Sequence, residues 1–243
     1  MNIKKDYKTL KEAAQVLLGR SHDGTRTTQI EKIYREAYFS EIQGLEEKGD
    51  ITGAIEAYKK FALENTTSEL APKAWWNASQ LQFRQGDAEG GANTCYQMHK
   101  LFPKSSNGRD CLTKAASTFE NMGRLDLAAR VLLNLALVEQ DKQDHWREVA
   151  ADFFALSGTK DRAVTMYMKL AEDKKGQAMV DLLEKAAVLA RETGDMKTLG
   201  QLEAKFTSMN IEPQASRLVV EQAEQAFSVQ DFTKAFNISK RII

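Results

Sequence analysis

The sequence contains few residues that interrupt helices and few that form covalent cross-links. Only 3 of its 243 residues are proline and 2 are cysteine. Proline breaks helix interiors, so its scarcity favours a largely helical chain. Two cysteines cannot build a disulfide framework or a four-ligand zinc site. We expect Cys95 and Cys111 to be ordinary small apolar residues in a reduced compartment, with a single disulfide between neighbouring helices as the alternative.

The sequence also lacks a charge excess and a long apolar run. Its 34 basic and 34 acidic residues give a net charge of zero, whereas nucleic-acid-binding proteins usually carry a basic excess or stripe. No stretch approaches the roughly 18 apolar residues of a membrane span. We therefore expect no nucleic-acid partner and no direct membrane insertion. Because the N-terminus has no secretory signal pattern, we expect a cytoplasmic protein, or a periplasmic or secreted one if an upstream signal was removed.

Residues that could carry chemistry are scattered. His22, His99 and His145 lie in different parts of the sequence, and each is expected to be an ordinary surface or groove residue. No metal-ligand spacing, nucleophile motif or phosphate-binding loop occurs. The glycine-rich segment from Gly86 to Gly91 is interpreted as a loosened helical turn. The sequence therefore predicts no catalytic residue, no metal site and no cofactor, and the chain is not expected to be an enzyme.

A glycine followed five or six residues later by an alanine recurs through the chain. The interval between these phrases is roughly 36 residues, which is typical of a solenoid built from repeats. The phrase begins at Gly49, Gly86, Gly123 and Gly158, and fades at Gly194 and Gln230. The sequence therefore predicts an array of similar units.

Each unit has the pattern of two helices separated by the glycine. In the third unit, Leu112, Ala115, Ala116 and Phe119 follow the i, i+3, i+4, i+7 spacing of one helix face. Glycine commonly ends a helix in the left-handed conformation, and the aspartate that follows it in other units can cap the next helix. The recurrent alanines, such as Ala128 and Ala163, are expected to be buried where two helices cross.

These residues resemble the tetratricopeptide repeat family. The best match is the second unit, which has Trp75, Gly86, Ala92, Tyr96 and Pro103. The first unit also matches, with Tyr38, Gly49, Ala54, Tyr58 and Phe61. The resemblance covers residues 30–243, most clearly in the middle. It implies an all-α fold, a right-handed α-solenoid of antiparallel helical hairpins. Other helical hairpins stacked in a superhelix would give a similar pattern.

The predicted organisation has two parts. Residues 1–24 are expected to form an N-terminal capping helix, over 4–18, and a turn. Residues 25–243 are expected to form an array of about six helical hairpins. Since Ile242 and Ile243 end the sequence on an apolar helix face, we expect the chain to be part of a longer array, or to self-associate through this end.

The resemblance places the first helix of each unit on the concave face of the superhelix. Trp75 is needed for packing, and Trp76 lies about 100° further round the helix, so Trp76 is expected to face the groove unless it packs against a neighbouring unit. An aromatic side chain beside an arginine is typical of an interface anchor. The predicted partner-binding residues are Phe39, Gln43, Lys73, Trp76, Asn77, Gln80 and Arg84.

The predicted function is therefore a non-catalytic protein–protein interaction module that binds a partner peptide or domain in the concave groove. The alternative is a structural spacer or docking segment of a larger assembly, acting through its ends and convex face. Some tetratricopeptide domains clamp a terminal carboxylate, but only Asn77 is placed for such a clamp. Phe39 and Asp110 stand where cations would be needed, although Lys114 is nearby.

Overall fold

The computed structural model describes residues 6–20 and 24–241. Within these ranges the chain forms thirteen α-helices and one turn of 3₁₀ helix at Gln140–Lys142, with no β-strand. The chain divides into two compact units, the first ending at Met122 and the second beginning at Gly123. The first unit contains α1 (Tyr7–Leu18), α2 (Gly24–Glu47), α3 (Ile51–Glu64), α4 (Leu70–Arg84), α5 (Ala88–Leu101) and α6 (Gly108–Asn121). The second contains α7 (Leu125–Val138), α8 (Gln143–Leu156), α9 (Lys160–Glu172), α10 (Gln177–Thr193), α11 (Met196–Ser208), α12 (Glu212–Ser228) and α13 (Phe232–Ser239).

Within each unit, every helix packs against the next one along the chain. Short connections join the helices, so neighbours run in opposite directions and form the hairpins that the repeat pattern predicted. This confirms the all-α, helical-hairpin architecture. The predicted first helix also exists: α1 packs along α2.

The turn glycines adopt the left-handed conformation that the sequence indicated. Their φ angles are positive, between 69° and 85°, at Gly49, Gly86, Gly123, Gly158 and Gly194. Gln230 stands at the equivalent turn before α13 and has a φ of 64°. A side chain with a Cβ is strained in this region, whereas glycine is not.

Aspartates cap several of the helices that follow these turns, as predicted. The carboxylates of Asp50, Asp87, Asp195 and Asp231 accept hydrogen bonds from backbone N–H groups three residues ahead. The distances are 2.9 to 3.0 Å. Each bond satisfies a donor that the first turn of a helix otherwise leaves free.

The glycine-rich segment from Gly86 to Gly91 is not a loosened turn, so that interpretation was wrong. Helix α5 begins at Ala88, and the Asp87 cap holds its first turn. A Cβ added at Gly91 would lie 2.9 Å from the ring of Phe83. The glycine therefore allows α5 to approach the aromatic side chain on α4 closely, which is a packing role.

The small residues of the repeat are buried, as expected. Ala128 and Ala163 expose none of their surface. Larger side chains fill the core around such positions, including Tyr58 and Phe61 in the first unit and Phe154 and Phe206 in the second. Alanine at the recurrent position leaves room for the neighbouring helix.

Two predictions about reactive side chains were wrong. Cys95 and Cys111 are not free thiols: they form a disulfide that joins α5 to α6, which was the alternative. His99 is not a surface or groove residue, because it lies late in α5 and is only 5% exposed. The predictions made for His22, Ile242 and Ile243 fall on residues outside those that the structure describes.

Candidate functional site

Five of the predicted binding residues form one line along helix α4. Lys73, Trp76, Asn77, Gln80 and Arg84 are spaced at i, i+3, i+4, i+7 and i+11, which places them on one side of the helix. We call these five residues the α4 stripe. Lys73 and Arg84, towards the two ends of α4, are exposed, and the three residues between them are half-buried.

The two adjacent tryptophans of α4 have different surroundings. Trp75 is 8% exposed and belongs to the core, as its assignment to packing predicted. Trp76 is half-buried, so part of its indole remains accessible in the middle of the stripe. A partly exposed tryptophan offers a large, stiff apolar surface to a partner.

Side chains from α2 and α6 connect to the stripe. On one side, the Arg84 guanidinium donates to Glu46 Oε1 of α2 at 2.9 Å. On the other side, Lys114 Nζ of α6 donates to Gln80 Oε1 at 3.3 Å. The stripe is therefore continuous with polar groups from the flanking helices. Glu46 and Lys114, which supply these groups, were not among the predicted site residues.

Asn77 lies near the core residue Tyr58. Burial raises the pKa of the Tyr58 hydroxyl, and the side chains of Asn77 and Glu46 lie close enough to affect it. The hydroxyl oxygen is nevertheless buried without a hydrogen bond of good geometry to a described residue. The phenol is therefore neutral at neutral pH.

Phe39 does not line the stripe, so its inclusion among the binding residues was wrong. It is 5% exposed and its ring packs against Tyr58 and Phe61, with centroids 5.4 and 5.7 Å away. Lys73 Nζ lies 5.6 Å from the Phe39 ring centroid, which is within the range of a cation–π contact. Phe39 therefore forms part of the floor beneath Lys73.

Gln43 is exposed, but it lies in a different cleft. It lines a cavity of about 720 Å³ together with Tyr7 and Lys8 of helix α1. No described hydrogen bond joins it to the α4 stripe. The candidate site is therefore the α4 stripe with Glu46 and Lys114, without Phe39 and Gln43.

The electrostatic character of the site is cationic. Lys73, Arg84 and Lys114 supply three positive charges, and Glu46 is the carboxylate paired with one of them. Lys114 Nζ also lies 3.9 Å from the centroid of the Phe83 ring. Such a surface is suited to attract a carboxylate while an apolar group covers the indole.

The second unit exposes an apolar patch that the sequence analysis did not identify. Phe227 of α12 and Phe232 and Phe236 of α13 are 57 to 63% exposed. The rings of Phe227 and Phe232 meet edge to face, with centroids 5.2 Å apart. The sequence signal that could have revealed this patch is the presence of phenylalanines on both sides of the turn residue Gln230. We call these three residues the phenylalanine patch.

No family model and no curated protein matches this sequence. Among solved structures, a tetratricopeptide repeat protein from Parabacteroides merdae is 17% identical, with 86% of this chain and 78% of that chain covered and a TM-score of 0.35. BtubC from P. vanneervenii is 13% identical, with 92% and 89% covered and a TM-score of 0.33. The Rap conjugation gene regulator of plasmid pLS20, in complex with the Phr* peptide, is 13% identical, with 90% and 76% covered and a TM-score of 0.30.

Identities and TM-scores this low carry no information about what this chain binds. Its repeat character follows from its own helix pairs, left-handed turn glycines and aspartate caps. Across residues 6–20 and 24–241, no helix combines the length and apolar character needed to cross a bilayer. The same residues contain no group of three or more His, Cys, Asp or Glu side chains arranged to hold a metal ion.

Proposed function

We propose that this chain is a non-catalytic interaction module that holds a carboxylate-bearing peptide on the α4 stripe. The observation that carries the proposal is the position of Trp76, which is half-buried midway along a line of polar and cationic side chains. Tryptophan and arginine are the residues most enriched among interface hot spots. Because the Trp76 indole is already half-buried, its side chain loses little conformational freedom when a partner binds.

The charges around Trp76 favour an acidic partner. Arg84 is paired with Glu46, whereas neither Lys73 nor Lys114 has a carboxylate within ion-pair distance among the described residues. A peptide carboxylate would supply the missing acceptor, and charge complementarity of this kind fixes the orientation of a bound segment. An apolar side chain of the same peptide would cover the exposed part of the indole.

Selection from a random displayed-peptide library on the immobilised protein tests this proposal. The best peptide should carry an acidic side chain or a free C-terminus beside an apolar residue. Trp76→Ala should weaken its binding by roughly 30-fold or more, because truncating a central aromatic anchor costs about 2 kcal/mol or more. Amidating the peptide's carboxylate should weaken it further.

Tyr96→Ala is the matched control. Tyr96 is another half-buried aromatic residue of the first unit, but it lies on α5, with Lys100 Nζ 4.4 Å from its ring centroid. Its truncation should leave peptide affinity within about twofold. Equal losses in the two variants, or unchanged affinity in Trp76→Ala, would mean that peptides bind elsewhere.

The second candidate function is assembly through the phenylalanine patch, with a second copy of this chain as the occupant. Glu224 lines the patch and Lys240 lies over the Phe236 ring, 4.3 Å from its centroid. A rim with one acidic and one basic residue is self-complementary, as a two-fold interface requires. The association state of the purified chain tests this candidate.

We also propose that the protein works in an oxidising compartment. The Cys95–Cys111 disulfide supports this, because structural disulfides are rare in the reducing cytosol. Thiol labelling of the denatured, unreduced protein from its native source provides the test. Two reactive thiols per chain would place it in a reducing compartment instead.

A further inference from the structure

The second unit contains a cavity that the α4 stripe does not use. It has a volume of about 340 Å³ and opens among helices α7, α8 and α9. Leu133, Met166 and Leu170 supply its apolar wall. Cavities of roughly 300 to 1,000 Å³ with an apolar wall and a few polar groups are typical of small-molecule sites.

Three cations surround this apolar wall. Arg147 comes from α8, and Arg162 and Lys169 come from α9; Asp173 is the carboxylate that also lines the cavity. Neither Arg147 nor Lys169 has a carboxylate within ion-pair distance among the described residues. The Arg162 guanidinium lies 4.2 Å from the centroid of the Phe154 ring, which fixes its position without neutralising its charge.

Two other basic residues near these helices are paired with carboxylates, in contrast to the cations of the cavity. Lys160 of α9 pairs with Glu192 at 3.0 Å, and Lys174, which follows α9, pairs with Asp144. One carboxylate against three cations leaves the cavity with a positive charge. An anion in this position would gain charge-assisted hydrogen bonds from groups that have no internal acceptor.

We propose that this cavity binds a small organic anion with a hydrocarbon body. The anionic head would lie between Arg147 and Lys169, and the body would cover Leu133 and Met166. The volume suits a molecule of this size, and the charge selects an acid over an alcohol of the same length. The site is separate from the α4 stripe and independent of peptide binding there.

Titration with decanoate, kept below its micelle concentration, tests this proposal. With the methionine methyl groups labelled with ¹³C, the Met166 signal should shift and saturate. Decan-1-ol, which has a similar body and no charge, should bind at least about tenfold more weakly. The double variant Arg147→Gln/Lys169→Gln should bind decanoate about tenfold more weakly than the parent protein. A tenfold change in affinity corresponds to the loss of about one charge-assisted contact.

Lys197→Gln is the control, because it removes one exposed positive charge of the second unit outside the cavity. It should bind decanoate like the parent protein. Circular dichroism verifies that the double variant remains folded, and neither of its substituted side chains is buried. The proposal is overturned if the Met166 signal does not move, if decan-1-ol binds equally well, or if the folded double variant retains its affinity.

Discussion

At the scale of single residues, His99 couples the stability of the first unit to pH. The side chain is buried, its Nδ1 atom has no hydrogen-bond partner, and burial lowers its pKa below the ordinary value of 6.5. The folded protein therefore keeps the imidazole neutral at pH values where the unfolded chain is already protonated. The unfolded state then binds more protons, so the free energy of unfolding decreases as pH falls below about 6.5.

Replacement of His99 by glutamine should remove this contribution. The stability that His99 confers is complete above about pH 6.5 and is lost as pH falls from there towards its lower folded-state pKa. Urea unfolding at pH 7.5 and 5.5 should show a smaller decrease in stability for His99→Gln than for the parent. His145→Gln, at an exposed position, is the control and should behave like the parent. An unchanged decrease in His99→Gln would show that other groups cause it.

The positions of the candidate site residues were predictable to the extent that they depend on one helix. The α4 stripe follows from the 100° step between successive residues, given that Trp75 faces the core. Phe39 could not be placed in this way, because the rings of Tyr58 and Phe61 that bury it belong to α3. The burial of His99 could not be predicted either, because it depends on how the rest of the first unit packs around α5.

At the scale of elements, the turn before α13 carries avoidable strain. Gln230 has a φ of 64°, in the position that glycine occupies at the five earlier turns. A residue with a Cβ costs roughly 1 to 2 kcal/mol there, and glycine avoids that cost while losing some entropy on folding. Gln230→Gly should therefore stabilise the second unit by about 0.5 to 1 kcal/mol.

The urea midpoint of the second unit measures this effect. Gln201→Gly, inside helix α11 at an exposed position, is the matched control and should destabilise by about 1 kcal/mol. Opposite signs for the two substitutions are expected. A loss of stability in Gln230→Gly would mean that the glutamine makes a compensating contact.

The helices and turns were predictable because their signals are local. Glycine and aspartate determine the turn and the cap within a few positions, and both were placed correctly. The disulfide was not predictable in the same way, because a separation of 16 residues does not fix how α5 lies against α6. The backbone of those helices brings the cysteine Cα atoms to 5.0 Å.

At the scale of the whole molecule, the phenylalanine patch should make the chain self-associate. Phe227, Phe232 and Phe236 expose more than half of their surface next to one another, and contiguous apolar surface of this kind marks an interaction site. Sedimentation over a range of protein concentrations should show a monomer–dimer equilibrium. Phe236→Ser should shift it towards the monomer by about tenfold or more in dissociation constant.

Leu156→Ser is the control for this experiment. Leu156 is 73% exposed in the same unit and is not part of the patch, so its replacement should leave the equilibrium unchanged. A chain that stays monomeric at every concentration would exclude the assembly role. Association that persists unchanged in Phe236→Ser would place the interface elsewhere.

The repeat period predicted an array of helical hairpins because stacked units each need the same turn and the same small residue at the crossing. It could not predict which exposed surface a partner uses, because repeats constrain the core and leave surface positions free to vary. The phenylalanine patch and the cationic cavity depend on side chains from more than one helix, and so do the contacts of Glu46 and Lys114 with the α4 stripe.

The indole N–H signals of the three tryptophans provide the most direct measurement of whether a partner docks on the α4 stripe. They can be assigned in ¹⁵N spectra with Trp76→Phe and Trp146→Phe variants. Titration with the selected carboxylate peptide should shift the Trp76 signal and leave that of Trp146, in the second unit, in place. A peptide that binds the protein without moving the Trp76 signal would contradict the assignment of this surface as the binding site.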